Sequence, residues 1–206
     1  MAKGRITKER WKQWEERKKL ILSADFRLAD TGETREARIE RARKDYQYFV
    51  ETYFPHLCTN KETGEITRCG KFQLDAAKYL KAHRHTRAVF EWARGHAKST
   101  HISLLIPIWL MVQEARTIHV MVLVSKSEDS ADRLLSDLQC ELQYNTLLRA
   151  DFGIEIDEGS WSIGEFKTKD GMLFMALGRG QSPRGIKNRG QRPDYICLLY
   201  TSTSPR

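Results

Sequence analysis

The residues with the most chemistry in this chain lie between Ala93 and Thr100: Ala93-Arg94-Gly95-His96-Ala97-Lys98-Ser99-Thr100. A phosphate-gripping loop needs a lysine beside a hydroxyl residue at a helix start. There unpaired backbone N–H groups and the helix dipole favour an anion. The usual spacing is G-x-x-x-x-G-K-[ST] between a strand and a helix. Here the pair is Lys98-Ser99, the two glycines are replaced by Trp92 and Ala97, and Gly95 sits inside the loop. In that chemistry Lys98 would reach the β- and γ-phosphates and Ser99 would place its hydroxyl on Mg²⁺.

Such a loop needs a scaffold, and the pattern around it supplies one. Arg87–Trp92 is a short β-type run, and an apolar helix is expected from Thr100 to about Leu110, kinked or ended by Pro107. Thr117–Val124 reads as a buried strand. Ser125-Lys126-Ser127-Glu128 fits a capping box opening a helix that buries Ala131, Leu134, Leu135, Leu138 and Leu142. Gly171–Leu177 is a further strand. Tyr195–Leu199 reads as a third buried strand after the turn at Arg192-Pro193-Asp194. Apolar strands alternating with helices predict an α/β fold, a parallel sheet covered on both faces.

Upstream, residues 7–24 predict a charged helix with Trp11 and Trp14 on one face. A second helix is expected from Glu33 to Tyr53, ended by Pro55. A hairpin over Thr59–Arg68, with Gly64 at its tip, is flanked by Cys58 and Cys69. Lys71 to about Arg84 is another helix. The organisation expected is therefore a helical extension over 1–56, an α/β domain over 57–199, and a non-native or disordered tail over 200–206.

Bulk composition narrows the class. Hydrophobic residues make up 40% of the 206 residues and charged residues 30%, the balance of a globular chain. The highly charged first twenty residues are unlike a signal peptide. The longest apolar run, Ile102–Val112, is far short of the ~20 residues that cross a bilayer. Cys58, Cys69, Cys140 and Cys197 show no metal-site spacing. They are expected to be thiols in a cytosolic protein, although Cys58 and Cys69 could approach each other. The net charge is +8. Residues 1–20 hold eight Lys/Arg against three Glu, and residues 179–192 hold five Lys/Arg and no acid. Two such clusters favour phosphate contact.

The stretch from Ala93 to Thr100 resembles the variant Walker A loop of phage terminase large subunits, the ATPases that package DNA. Further elements keep that family's order: Tyr53-Phe54-Pro55, Asp151-Phe152-Gly153, Trp161, Gly171, the run Ala176–Gly185 and Arg192-Pro193-Asp194. The resemblance covers roughly residues 45–198. It implies an ASCE-type P-loop ATPase with ATP and Mg²⁺ as cofactors. Residues Arg94, Gly95, His96, Ala97, Lys98, Ser99 and Thr100 would line the nucleotide, with Ser99 on the metal. Arg94 would meet the γ-phosphate as an arginine finger does. Gln73 resembles the family's adenine-contact region, with a surface glutamine on a helix the equal alternative. The partners implied are double-stranded DNA, the portal, the small terminase subunit and further copies in a homo-oligomeric ring. The setting implied is the cytoplasm of a bacterial host, with no membrane.

The sequence departs from the family at one place. In the register of Arg192-Pro193-Asp194, Leu199 and Tyr200 occupy the positions of the paired acids that order Mg²⁺ and activate water. Impaired hydrolysis is therefore expected, and the family's nuclease domain lies outside this sequence. Two rivals remain: a helicase-like motor of the same fold, and a non-catalytic module that binds DNA or a protein partner.

Overall fold

A computed structural model describes residues 7–24, 32–60, 62–160, 162–182 and 184–199. Trp161, the tail from Tyr200 onward, residue 183 within the run Ala176–Gly185 and residues 1–6 of the basic N-terminal stretch lie outside the described residues. The helices are α1 (Lys8–Leu22), α2 (Arg35–Lys44), α3 (Tyr46–Tyr53), α4 (Pro55–Cys58), α5 (Lys71–Ala82), α6 (Lys98–Thr100), α7 (Ile106–Met111), α8 (Glu128–Tyr144) and α9 (Thr146–Phe152). The strands are β1 (Val120–Ser125), β2 (Glu165–Lys167), β3 (Leu173–Gly178) and β4 (Tyr195–Leu199). They form a four-stranded mixed sheet in the order β2-β3-β1-β4, flanked by helices. β1 pairs in parallel with both β3 and β4, while β2 runs antiparallel to β3.

The α/β class stands, with several corrections. The sheet is mixed rather than parallel because β2 runs antiparallel to β3; at three residues it is too short to leave a pattern in the sequence. The single helix expected over Glu33–Tyr53 is two. Asp45 breaks it, taking an extended conformation (φ −115°, ψ 107°) while its carboxylate accepts the N–H of Tyr48 and starts α3. An aspartate that caps well competes with helical continuation through it. Arg87–Trp92 pairs with no strand among the described residues, and Val89 is 87% exposed. A β-type sequence becomes a strand only where a ladder partner meets it.

β4 is an edge strand rather than a buried one, with Ile196 and Leu198 49% and 57% exposed. The N-cap of α8 is Ser127, which accepts from the N–H of Ser130, so the capping box expected from Ser125 to Glu128 does not form. Pro107 neither ends nor breaks its helix. A π-helical stretch, His101–Leu105, leads into α7, and proline takes one of its first positions. That placement suits a residue without an N–H, because first-turn N–H groups are unpaired anyway.

One apolar cluster joins all of this. Tyr46, Phe49, Tyr53 and Phe54 from α3 and its end pack with Leu105, Ile108 and Trp109, with Met121 and Leu123 of β1, with Phe174 and Ala176 of β3, and with Leu135, Leu138 and Leu142 of α8. Trp109 is buried and its indole N–H donates to the carbonyl of Ala42, 2.8 Å away. Helices α2 and α3 are thus wedged into the same core as the sheet. The hairpin after α4 forms as expected, with Thr59 bridging Ile66 and Gly64 in the left-handed region.

Candidate functional site

Loop 93–98 owes its shape to backbone torsions. Gly95 lies at φ +87° and Ala97 at φ +54°, ψ +30°, after which the helical turn begins at Lys98. A side chain in the left-handed region costs roughly 1–2 kcal/mol, and such outliers persist where the surroundings impose them. Ala97 occupies the place where the phosphate-loop pattern has glycine. The loop closes on itself as the carbonyl of Ala93 accepts both the N–H of His96 (3.3 Å) and the His96 ring at Nδ1 (3.1 Å). The helical turn is secured by the N–H of His101 donating to the carbonyl of Ala97.

Neighbouring elements hold the loop from below. Gln73 is buried at the start of α5. Its Oε1 accepts the N–H of Gly70, and its amide donates to the carbonyl of His96, 3.0 Å away. The alternative of a surface glutamine is therefore overturned: Gln73 ties α5 to the loop. Phe72 meets Trp92 and His96 edge-on, with centroids 5.0 and 5.5 Å apart, and Trp92 meets His101 at 6.1 Å. His101 is buried against Tyr46, whose hydroxyl lies 2.8 Å from Nδ1. Burial pushes the His101 pKa down to about 4, so the ring is neutral near pH 7. Sequence reasoning had no signal for this Tyr46–His101 pair, since the two residues are 55 positions apart.

The functional groups themselves are accessible. Arg94, Gly95, His96 and Ser99 are exposed, while Lys98 and Thr100 are partly buried. Among the described residues neither Arg94 nor Lys98 has an ion-pair partner, so both cations remain available to an anion. The hydroxyl of Tyr195, first residue of β4, donates to the carbonyl of Ile102, 2.8 Å away, and joins this helix to the sheet. No group of three or more metal-binding side chains occurs among the described residues.

The carboxyl ends of the three parallel strands, Ser125, Gly178 and Leu199, lie in one register. The hydroxyl of Ser125 donates to the carbonyl of Leu199. Gly178 is there by necessity, because a β-carbon would stand 2.6 Å from the backbone nitrogen of Glu128. Its own N–H donates to Gln181, which in turn donates to Glu128. At the opposite end Asp194 is committed to structure, its carboxylate accepting the N–H groups of His119 and Val120. No protein-family model matches this chain, and no curated protein matches it.

The remaining candidates separate clearly. Asp151, in the Asp-Phe-Gly run, is buried. It accepts from Arg38 at 2.7 and 2.8 Å and from the Tyr53 hydroxyl at 2.8 Å. Burial alone would raise its pKa, but these hydrogen bonds outweigh it and hold the carboxyl below its ordinary value. The four cysteines are free thiols, raised to about 12, 11, 12 and 12 for Cys58, Cys69, Cys140 and Cys197, mainly by burial. They are protonated and poorly nucleophilic at neutral pH. Two cavities, of about 610 and 800 Å³, lie between α1 and α8 and beside α2 and α7, and neither is lined by residues 93–100. The loop is an open surface feature, as a site for a large, charged, solvated ligand can be.

Proposed function

We propose that residues 93–100 form a phosphate-binding loop and that this chain is the ATP-binding part of a DNA-packaging motor of the terminase large-subunit kind. The observation that supports this most is Ala97. A non-glycine residue is held in the left-handed region one position before a lysine that opens a helix, inside a loop with two unpaired cations. A left-handed residue next to helical backbone is the kind of turn from which anion-binding concavities are built. Lys98 would bind the β- and γ-phosphates and Arg94 the outer one. The Ser99 hydroxyl would hold Mg²⁺, whose remaining ligands are phosphate oxygens and water. When bound, Mg²⁺ supplies charge neutralisation at the phosphates. Gln73 is a positioning residue that fixes the loop backbone through His96.

Hydrolysis is a separate matter. A carboxylate at the carboxyl end of a parallel strand is the usual second anchor for the metal ion. Leu199 stands at that end of β4. Slow turnover follows, because a missing general base alone costs ~10² to 10⁴-fold. Leu199→Asp with Tyr200→Glu is expected to raise turnover measurably above the unaltered chain. An equal rate in both would mean the catalytic acids lie elsewhere.

The decisive measurement is calorimetric titration with ATP and Mg²⁺. Lys98→Ala is expected to weaken binding by at least about tenfold, roughly 1.4 kcal/mol, with the fold intact by circular dichroism. Equal affinity in the two proteins would overturn the assignment of the loop.

A further inference from the structure

The turn that follows α5 carries a concentration of positive charge that neither the loop nor the sheet uses. Residues 78–87 contain Lys78, Lys81, Arg84 and Arg87 with His83 and His85, and residues 76–90 contain no acid. Lys81 is already engaged: its amine donates to the carbonyl of Arg43 and lies over the Trp109 ring. The others face water. Lys78, His83, Arg84, His85 and Arg87 are all exposed, and among the described residues none of them has an ion-pair partner.

The turn is also built to a shape. The His83 ring stacks on Tyr79 with centroids 4.3 Å apart and planes 24° from parallel, and its Nδ1 sits 2.9 Å from the Tyr79 carbonyl. The Tyr79 hydroxyl lies 3.0 Å from the hydroxyl of Thr86. The chain is thereby pinned on both sides of Arg84 and His85, so these cations are presented from a fixed base. Pre-organised side chains lose less freedom on binding.

We infer that this turn is a contact surface for the phosphate backbone of double-stranded DNA. The inference rests on the reading above only in naming DNA as the partner; the charge and the geometry are independent of nucleotide binding. Exposed guanidinium groups suit phosphate oxygens, which they can hold with two hydrogen bonds. A protein partner is the weaker match. Protein interfaces centre on apolar anchors in a charge-depleted patch; this stretch has two exposed large apolar side chains, Tyr79 and Val89, among a run of exposed Lys, Arg and His. A single strand is weaker too, since it needs free aromatic faces to stack on and one face of Tyr79 is taken by His83.

The test is fluorescence anisotropy of a short mixed-sequence duplex, with salt varied over about 50 to 200 mM. Arg84→Ala/Arg87→Ala is expected to lower affinity at least tenfold at the low-salt end. It should also reduce the log–log salt slope by nearly two, about 0.9 for each phosphate no longer neutralised. Lys71→Ala/Lys169→Ala removes the same two charges from exposed, already paired sites and is expected to leave affinity and slope unchanged. Arg84→Lys/Arg87→Lys should keep most of the binding, which separates a charge effect from misfolding. Equal losses in both alanine variants would overturn the inference, leaving only bulk charge. So would polyglutamate displacing the labelled duplex as well as unlabelled DNA does at equal charge. ATP titration of Arg84→Ala/Arg87→Ala should match the unaltered chain. If ATP fails to bind while DNA binding follows this pattern, the nucleotide reading falls alone.

Discussion

Helix α1 and the turn after α5 are both rich in cations, and they use them in opposite ways. On α1, Arg10 reaches Asp129 and Asp132 of α8 at 2.9 and 3.2 Å, Arg17 faces Asp137 at 3.4 Å, and Lys18 lies over the Tyr144 ring. Three of the cations that made residues 1–20 a candidate for phosphate contact, Arg10, Arg17 and Lys18, are spent on docking the helix. In the turn Lys78, His83, Arg84, His85 and Arg87 have no ion-pair partner among the described residues and stay available. Charge count along a sequence therefore says little about charge available to a partner. Pairing decides that, and pairing belongs to the tertiary structure. The loop at residues 179–192 resembles the turn in this respect: all five of its cations are exposed, with no ion pairs among the described residues.

The same contrast, committed charge against free charge, divides Asp151 from the loop at residues 93–98, and experiments can press on it. The largest effect is expected at Asp151. Asp151→Ala leaves the Arg38 guanidinium and the Tyr53 hydroxyl without their acceptor, and removing one partner of a buried pair costs about 3–5 kcal/mol. Chemical denaturation should show that loss. A change below about 1 kcal/mol would mean the pair is as weak as a surface one, and the contrast would collapse.

Next is the pH response of His101. Its folded pKa of about 4 lies below the ordinary 6.5. The unfolded chain therefore takes up the proton first, and stability falls as pH drops from 6.5 toward 4. At about 1.4 kcal/mol per unit the loss approaches ~3 kcal/mol. His101→Gln should flatten this window in urea titrations at stepped pH. An unchanged profile would place the acid sensitivity elsewhere.

The smallest effect tests the strain in the loop. Ala97→Gly relieves a left-handed alanine and should stabilise the fold by about 0.5–1 kcal/mol. Ala97→Val should destabilise it, since a β-branched residue fits this region worse. If glycine is neutral or destabilising, the positive φ is not a constraint imposed by the surroundings, and the main support for an anion-binding turn weakens.

The sequence by itself determined the local elements whose signals are local. The helices at 8–22 and 71–82, the hairpin at Gly64, the apolar strands at 120–125 and 173–178, and a lysine opening a helix after a short loop are all legible from periodicity, caps and turn residues. It also held the signal at Asp45, a strong capping residue that the long apolar periodicity masked. What only the tertiary structure decided was partnership. Arg87–Trp92 has a strand's composition, yet no ladder among the described residues meets it. Tyr195–Leu199 has a buried strand's composition, yet it stands at the sheet's edge. Gln73 could not be told from a surface residue until His96 was found beside it, and His101 not until Tyr46 was. Hydrogen-bond and ladder partners lie tens of residues apart, and no spacing rule along the chain encodes them. Backbone torsion at Ala97 is a case of the same kind, because alanine favours the right-handed region by itself and enters the left-handed one only when its surroundings impose it.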